Sequence, residues 1–293
     1  YDKPLIFYPL SILMLANIRD ILIIVNKGQL RQYKMVLPNG NNLGIKITYL
    51  EQDKPRGLPD AFVIGEKFIG KENVAMILGD NFFYGQSLTR ILKKNSVFKS
   101  GAKIFLHPVK NPQNYGVAFL NSKNKVIKLV EKPKKTKSNL AVTGLYFFDS
   151  KVIDLSKRLK PSKRGELEII DLLNLYKSKK KLKAEFIGRG GAWLDTGNVK
   201  DYYSASNFIS TIESRQGLKI ACLEEIAFNN GWIKKNNILN IGIKSLIFSF
   251  LVFAFIIDNS SSITKSYFLK RTAEYLHFYN ILIHFLYQFC IKF

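Results

Sequence analysis

The chain reads as an α/β protein built on a mixed, mainly parallel central sheet. Two observations carry that reading. Short apolar runs of strand length alternate with stretches of helical periodicity along most of the 293 residues. Several of the runs end on a polar turn residue where a helix or a tight loop should follow. A third observation sets the scale: 47% hydrophobic and 23% charged residues are ordinary globular values, and the length suffices for a sizeable core.

Taken in order, Ile6–Ala16 is an apolar helix and Ile21–Val25 ("ILIIV") a buried strand. "IKITYLEQ" (45–52) alternates as a strand, and "LPDAFVIGEKFIG" (58–70) has helical spacing after Gly57. "VAMILGD" (74–80) is a second buried strand, followed by an aromatic turn and a helix near Ser87–Phe98. "AKIFLHPV" (102–109) is a strand, and 115–133 a hairpin turning at Ser122–Asn124. "AVTGLYFFD" (141–149) is a strand leading into a helix, and "GELEIIDLLNLYKS" (165–178) is helical. "AEFIGRGGAWLDTGN" (184–198) is strand and turn, and 199–216 a helix.

Composition excludes several chemistries. Cys222 and Cys290 form no spaced pair, so neither a disulfide framework nor a zinc motif is present, in keeping with a cytoplasmic setting. Three histidines, His107, His277 and His284, give poor support to a His-based metal site or a Ser-His-Asp triad. The net charge of +23 is spread along the chain, and the densest basic run, Lys177–Lys183, follows a helical stretch and reads as a solvated turn. No nucleic-acid-binding signature surrounds it. Phosphorylated small molecules fit the positive charge equally well.

The stretch "MILGDNFFYG" (76–85) raises a sharper question, because a buried strand ends on Asp80. A carboxylate there is expensive to desolvate unless something pairs with it. Asp80 could simply start a turn or cap a helix. However, Asp195 stands at an equivalent strand end, and ligands of open parallel sheets bind beyond the carboxyl ends of their strands. Two carboxylates meeting in one crevice suit Mg2+, which prefers oxygen ligands and usually takes phosphate oxygens as well. Glu131-Lys132-Pro133 and Arg164-Gly165-Glu166 add the charges that hold sugar hydroxyls and phosphates.

The stretches "YDKPLIFYPLSILMLANIRDILII", "GLPDAF", "LGDNFFYG", "NYGVAF", "EKPKKTKSNLAVTGLYFFD", "KPSKRGELEIID", "AWLDTGN" and "IESRQGLKIACLEEIAFNNGWI" occur in one order over residues 1 to about 234. In that order they resemble the sugar-phosphate nucleotidyltransferases, and among them the glucose-1-phosphate thymidylyltransferases. The resemblance implies a Rossmann-like nucleotidyltransferase fold. It also implies a reaction: dTTP and glucose 1-phosphate give dTDP-glucose and pyrophosphate, for dTDP-rhamnose and other surface-polysaccharide sugars.

By the same resemblance, Asp80 and Asp195 hold Mg2+, and Asp80, Lys132 and Arg164 are catalytic, with Lys132 and Arg164 meeting phosphate. Gln52, Gly57, Leu58, Leu78 and Asp80 bind the nucleotide. Tyr115, Gly116, Glu131, Val142 and Trp193 bind the sugar. A homo-oligomer, a homotetramer in the family, is implied, and a cytoplasmic location with no integral membrane span. A uridylyl- or cytidylyltransferase, or a non-catalytic module on the same fold, are the alternatives.

Three departures from the family pattern are visible. Its front strand and glycine-rich loop, G-G-x-G-T-R-L, have no counterpart after Tyr1, so a polypeptide starting there is expected to be inactive or nearly so. Pro59 and Asp60 stand where Ala-Gln is usual, and Ile170 where Thr is usual. The nucleotidyltransferase domain is therefore placed at 1–237. Residues 238–293 form an atypical apolar tail whose run "SLIFSFLVFAFII" (245–257) is shorter than the ~20 residues a bilayer span needs. The abrupt change of composition favours a change of reading frame over a core helix or an interfacial segment.

Overall fold

Helix α1 (Phe7–Leu15) carries Pro9 in its first turn, where a backbone N–H would have no helical partner anyway. It stops at Asn17, whose φ of 65° lets Ile18 N–H bond back to Leu13. Asn tolerates this left-handed conformation better than most residues. The Ile-rich strand β1 (Asp20–Asn26) follows, then the short exposed helix α2 (Leu30–Val36), and strand β2 (Lys46–Gln52) returns parallel to β1. The computed structural model describes residues 1–237, and Tyr1–Trp232 form one compact unit. The expectations for the tail at 238–293 lie outside the described residues.

The single helix expected over 58–70 is two: α3 (Asp60–Ile64) and α4 (Glu66–Ile69), broken at Gly65 and stopped by Gly70 at φ 56°. Strand β3 (Val74–Ile77) ends earlier than expected, and Leu78–Asp80 form a turn. The next residues are not an aromatic turn but strand β4 (Asn81–Gly85). Periodicity hides it, because its partner, β10 (Gly191–Asp195), lies more than a hundred residues away. Between them come helix α5 (Leu88–Ser96), strand β5 (Ala102–Pro108), the hairpin β6 (Val117–Leu120) and β7 (Val126–Val130), and strand β8 (Leu140–Phe148). Helices α6 (Val152–Lys157) and α7 (Ile169–Ser178) and strand β9 (Leu182–Phe186) precede β10. Helix α8 (Val199–Gln216), capped by the Asn198 side chain, and α9 (Leu223–Asn229) complete the described elements.

The sheet is mixed. Strand β8 pairs antiparallel with β3, β5 and β6, and β5 pairs parallel with β9. With β1–β2 also parallel, antiparallel pairings outnumber parallel ones among the described residues. Both faces of β8 are buried, and its residues alternate strictly. Tyr146 and Phe148 pack with Ile104, Leu106, Leu172, Leu173 and Tyr176 on one side. Leu145 and Phe147 pack with Phe105, Leu92, Ile12 and Trp193 on the other. Two helical layers thus cover the two faces of a strand buried at nearly every position, and its Thr143 hydroxyl donates to the Phe105 carbonyl at 3.0 Å.

Among the described residues β1 pairs only with β2, and β3 only with β8. Residues of both strands and of α1 line a cavity of about 1200 Å³. No helix among the described residues is long and apolar enough to cross a membrane.

Candidate active site

The turn after β3 and the end of β10 bring Asp80 and Asp195 together. Asn81 is paired with Asp195 in the β4–β10 ladder, so Asp80 sits one residue beyond that pair. Thr196 fixes the junction, donating both its N–H (2.9 Å) and its hydroxyl (2.7 Å) to the Asp80 carbonyl. Gly197 N–H donates to Asp195 Oδ1 at 3.0 Å.

Whether these residues suit a divalent cation is legible at Gly197. A methyl group there would lie 3.2 Å from Asp195 Oδ1 and 3.3 Å from Asp80 Oδ2. Oxygens of both carboxylates therefore face one small volume that no side chain fills. Two carboxylate oxygens leave the rest of a cation's coordination to water and phosphate, the usual arrangement for Mg2+. Among the described residues no larger cluster of His, Cys, Asp or Glu is arranged to hold a metal. Burial pushes the Asp195 carboxyl above its ordinary value; the Asp80 charge adds to this, while Gly197 N–H and Lys132 oppose it. A cation between the carboxylates would relieve that repulsion.

The residues expected to hold a sugar phosphate form one connected group. The rings of Tyr115 and Trp193 meet edge to face, with centroids 5.0 Å apart. Lys132 N–H bonds to the Tyr115 carbonyl (3.1 Å), and Val142 N–H to the Gly116 carbonyl (2.8 Å). Gly116 is required by close approach: a methyl there would come within 2.6 Å of Ile170 Cδ1 and 3.3 Å of Glu131 Oε2. Lys132 itself takes φ 38°, rare for a residue with a side chain, in the turn that ends the hairpin. Burial raises the Glu131 carboxyl above its usual range, with the Glu168 charge adding and Lys132 and Arg164 opposing. Arg164 Nη2 lies 3.5 Å from Glu131 Oε1.

The expected nucleotide residues Gln52, Gly57, Leu58 and Leu78 all line the large cavity beside β1 and β3. Gln52 Nε2 donates to Asn26 Oδ1 at 3.0 Å, which orients its amide at the end of β2. Gly57, at φ 106°, is pressed against Leu167, and Leu167 N–H bonds to the Arg56 carbonyl at 2.8 Å. This contact joins the nucleotide-side loop to the loop that carries Arg164.

Sequence reasoning missed two members. Glu168 binds Arg164 at two points and accepts from Ser162 Oγ (2.7 Å); both residues precede α7, so no helical spacing marked the pair in the sequence. Asn81 stood in the sequence only as a turn residue, and nothing local marks it as the buried hub it is.

A family model described as "Nucleotidyl transferase" matches residues 1–212. A glucose-1-phosphate thymidylyltransferase of Neisseria meningitidis is 49% identical over 233 residues, covering 80% of this chain and 81% of that protein. The Mycolicibacterium smegmatis protein of that name is 46% identical, with 80% and 81% covered. A solved Bacillus anthracis structure carrying the same name, with sucrose bound, superposes with a TM-score of 0.63 at 37% identity over 70% of this chain and 82% of that one. A UDP-glucose pyrophosphorylase complexed with UDP-glucose has a TM-score of 0.62 at 26% identity, with 72% and 88% covered.

Proposed function

The chain belongs to the nucleotidyl transferase family, and on that premise we propose that it transfers a thymidylyl group from dTTP to glucose 1-phosphate. A phosphate oxygen of glucose 1-phosphate attacks the α-phosphorus of dTTP, and the bond to the β-phosphate oxygen breaks. The products are dTDP-glucose and pyrophosphate. The observation that carries this reading is the convergence of Asp80 and Asp195 beside a sugar-side group containing Glu131, Lys132 and Arg164.

The chain's own residues divide the work. Glu131, with the backbone at Gly116 and Val142 beside it, would bind sugar hydroxyls, and Tyr115 and Trp193, in edge-to-face contact, would form an aromatic wall. Lys132 and Arg164 neutralise the attacking phosphate, which like-charge repulsion would otherwise keep from the triphosphate. Gln52 is suited to pair with the ring N–H and a carbonyl of thymine. Asp80 and Asp195 would hold Mg2+, which when bound neutralises charge on the phosphates.

The same reading takes in dTDP-rhamnose synthesis, a homo-oligomer and a cytoplasmic setting, where nucleoside triphosphates are available. The experiment is calorimetric titration with glucose 1-phosphate, together with pyrophosphate release from dTTP, UTP and CTP under Mg2+. Binding of glucose 1-phosphate by the chain is expected, and release favouring dTTP is expected once the family's front strand and glycine-rich loop precede Tyr1. Binding without turnover from any nucleotide favours a non-catalytic module, and preference for UTP or CTP moves the assignment to that nucleotide.

A further inference from the structure

Asn81 is 2% exposed, and its side chain touches both halves of the site. Its Oδ1 accepts from Gly144 N–H at 3.0 Å and from Trp193 Nε1–H at 2.6 Å. Both partners can only donate, so the carbonyl end of the amide must face them. The amino end is thereby turned the other way, where Nδ2 donates to Asp80 Oδ1 at 2.8 Å. Flipping the amide would set N–H against two N–H groups in a buried place, and each unmet donor there is penalised. The fit is close: a methyl at Gly144 would come within 2.5 Å of Asn81 Oδ1.

Asp80 is consequently held by two different devices. Its backbone is fixed by Thr196, and its carboxylate by Asn81. One carboxylate oxygen is engaged by the amide, and the other is the oxygen that faces Asp195 near Gly197. Trp193 stands at the far end of this chain of bonds, in edge contact with Tyr115 and, at 6.3 Å, with His107.

We propose that Asn81 is a positioning residue for Asp80, locked by Gly144 and Trp193, and that it sets the affinity of the Asp80–Asp195 pair for a divalent cation. It also links the aromatic wall of the sugar side to the metal side through a single side chain. This rests on the reading of Asp80 and Asp195 as the metal pair. Partners that orient metal-binding carboxylates typically change affinity 10–100-fold when removed.

The test is Mn2+ binding to the full chain, measured from the electron paramagnetic resonance signal of free Mn2+. The comparison set is the parent, Asp195→Asn, Asn81→Ala and Trp193→Phe, each checked for a cooperative melt. Asn81→Ala is expected to weaken Mn2+ about tenfold. Trp193→Phe removes one donor while keeping a ring in the wall, and is expected to weaken it measurably but by less than Asn81→Ala. A merely structural role would alter the melt and leave Mn2+ affinity alone. If Asn81→Ala does not fold, a folded Trp193→Phe with parental affinity overturns the proposal, as does a folded Asn81→Ala with parental affinity. A parent whose Mn2+ binding is insensitive to Asp195→Asn overturns the metal reading itself.

Discussion

Arg164 and Glu168 are joined by a two-point ion pair, Nε to Oε1 at 3.1 Å and Nη2 to Oε2 at 2.7 Å. Glu168 is buried at the start of α7, while the guanidinium is partly exposed beside Glu131. The planar fork of Arg is fixed on one edge and free on the other. The pair thus holds a cation beside Glu131 without consuming all of its donors.

Glu168→Gln leaves the shape but removes the charge, so Arg164 loses its fixed orientation. Glucose 1-phosphate binding should weaken about tenfold, whereas an uncharged sugar should be unaffected, because the lost feature is a positioned cation. Isothermal titration with both ligands checks this. Equal weakening of the two would show that the pocket itself had been damaged.

The same carboxylate gives a pH signature. Burial alone would raise the Glu168 pKa, but hydrogen bonds from Arg164 and Ser162 outweigh it and hold the group below its ordinary value. Its stabilising contribution is therefore complete above the unfolded value of about 4.3 and fades as pH falls through the folded value. In denaturant titrations the parent should lose its advantage over Glu168→Gln on acidification. An advantage that persists below both values would contradict the assignment.

Asp195→Asn should trade stability against activity. The carboxyl's pKa is raised by burial first and by Asp80 and Asp201 next, so its ionised form burdens the fold at neutral pH. In the absence of divalent cation, the amide variant should melt higher than the parent at pH 7, with the difference vanishing below about 3.9, where the unfolded group is protonated too. In a parent extended ahead of Tyr1 by the family's front strand and glycine-rich loop, pyrophosphate release should fall by orders of magnitude for both Asp80→Asn and Asp195→Asn. A variant of either kind within a few-fold of parental turnover would remove that carboxylate from the metal site.

Gly57→Ala places a methyl group 2.7 Å from Leu167 N and into collision with its carbonyl oxygen, at a φ of 106° that suits only glycine. Neither backbone can yield without moving Arg56 or Arg164. A loss of about 2–4 kcal/mol in urea unfolding is expected, with weaker nucleotide and sugar-phosphate binding together. A loss under about 0.5 kcal/mol would mean that the two loops are not held at this contact.

Cys222 should be inert. Burial pushes its thiol up to about 12, with the Glu224 charge adding to the effect. At pH 8 roughly one molecule in ten thousand then carries the thiolate, the form that reacts. Peptide mapping after iodoacetamide treatment should find Cys222 unmodified in the folded protein and alkylated in denaturant.

The sequence made most of the skeleton legible. The Ile-rich β1, the doubly buried β8, the hairpin at 117–130 and the long helix α8 all follow from local periodicity and turn residues. Asp80, in the turn just after β3, and Asp195, at the end of β10, were readable as carboxylates in need of a partner, although the sequence alone ran β3 on to Asp80. Gly65 splitting one helix into two was less so, since an isolated glycine is often tolerated within a helix.

What the sequence by itself determined was the order of the elements, their apolar faces and the residue types able to meet a cation, a phosphate and a sugar. Those properties are local: they depend on spacing, β-branching and side-chain chemistry within a few residues. Only the tertiary structure decided that Asn81–Gly85 is a strand, because its ladder is completed by Gly191–Asp195. It alone decided that Asn81 bonds to Trp193, 112 residues away, and that Gly57 must be glycine because Leu167 lies against it. The physical reason is that hydrogen-bond satisfaction and close packing are settled between segments distant in the chain, where no periodicity within either segment records the partner.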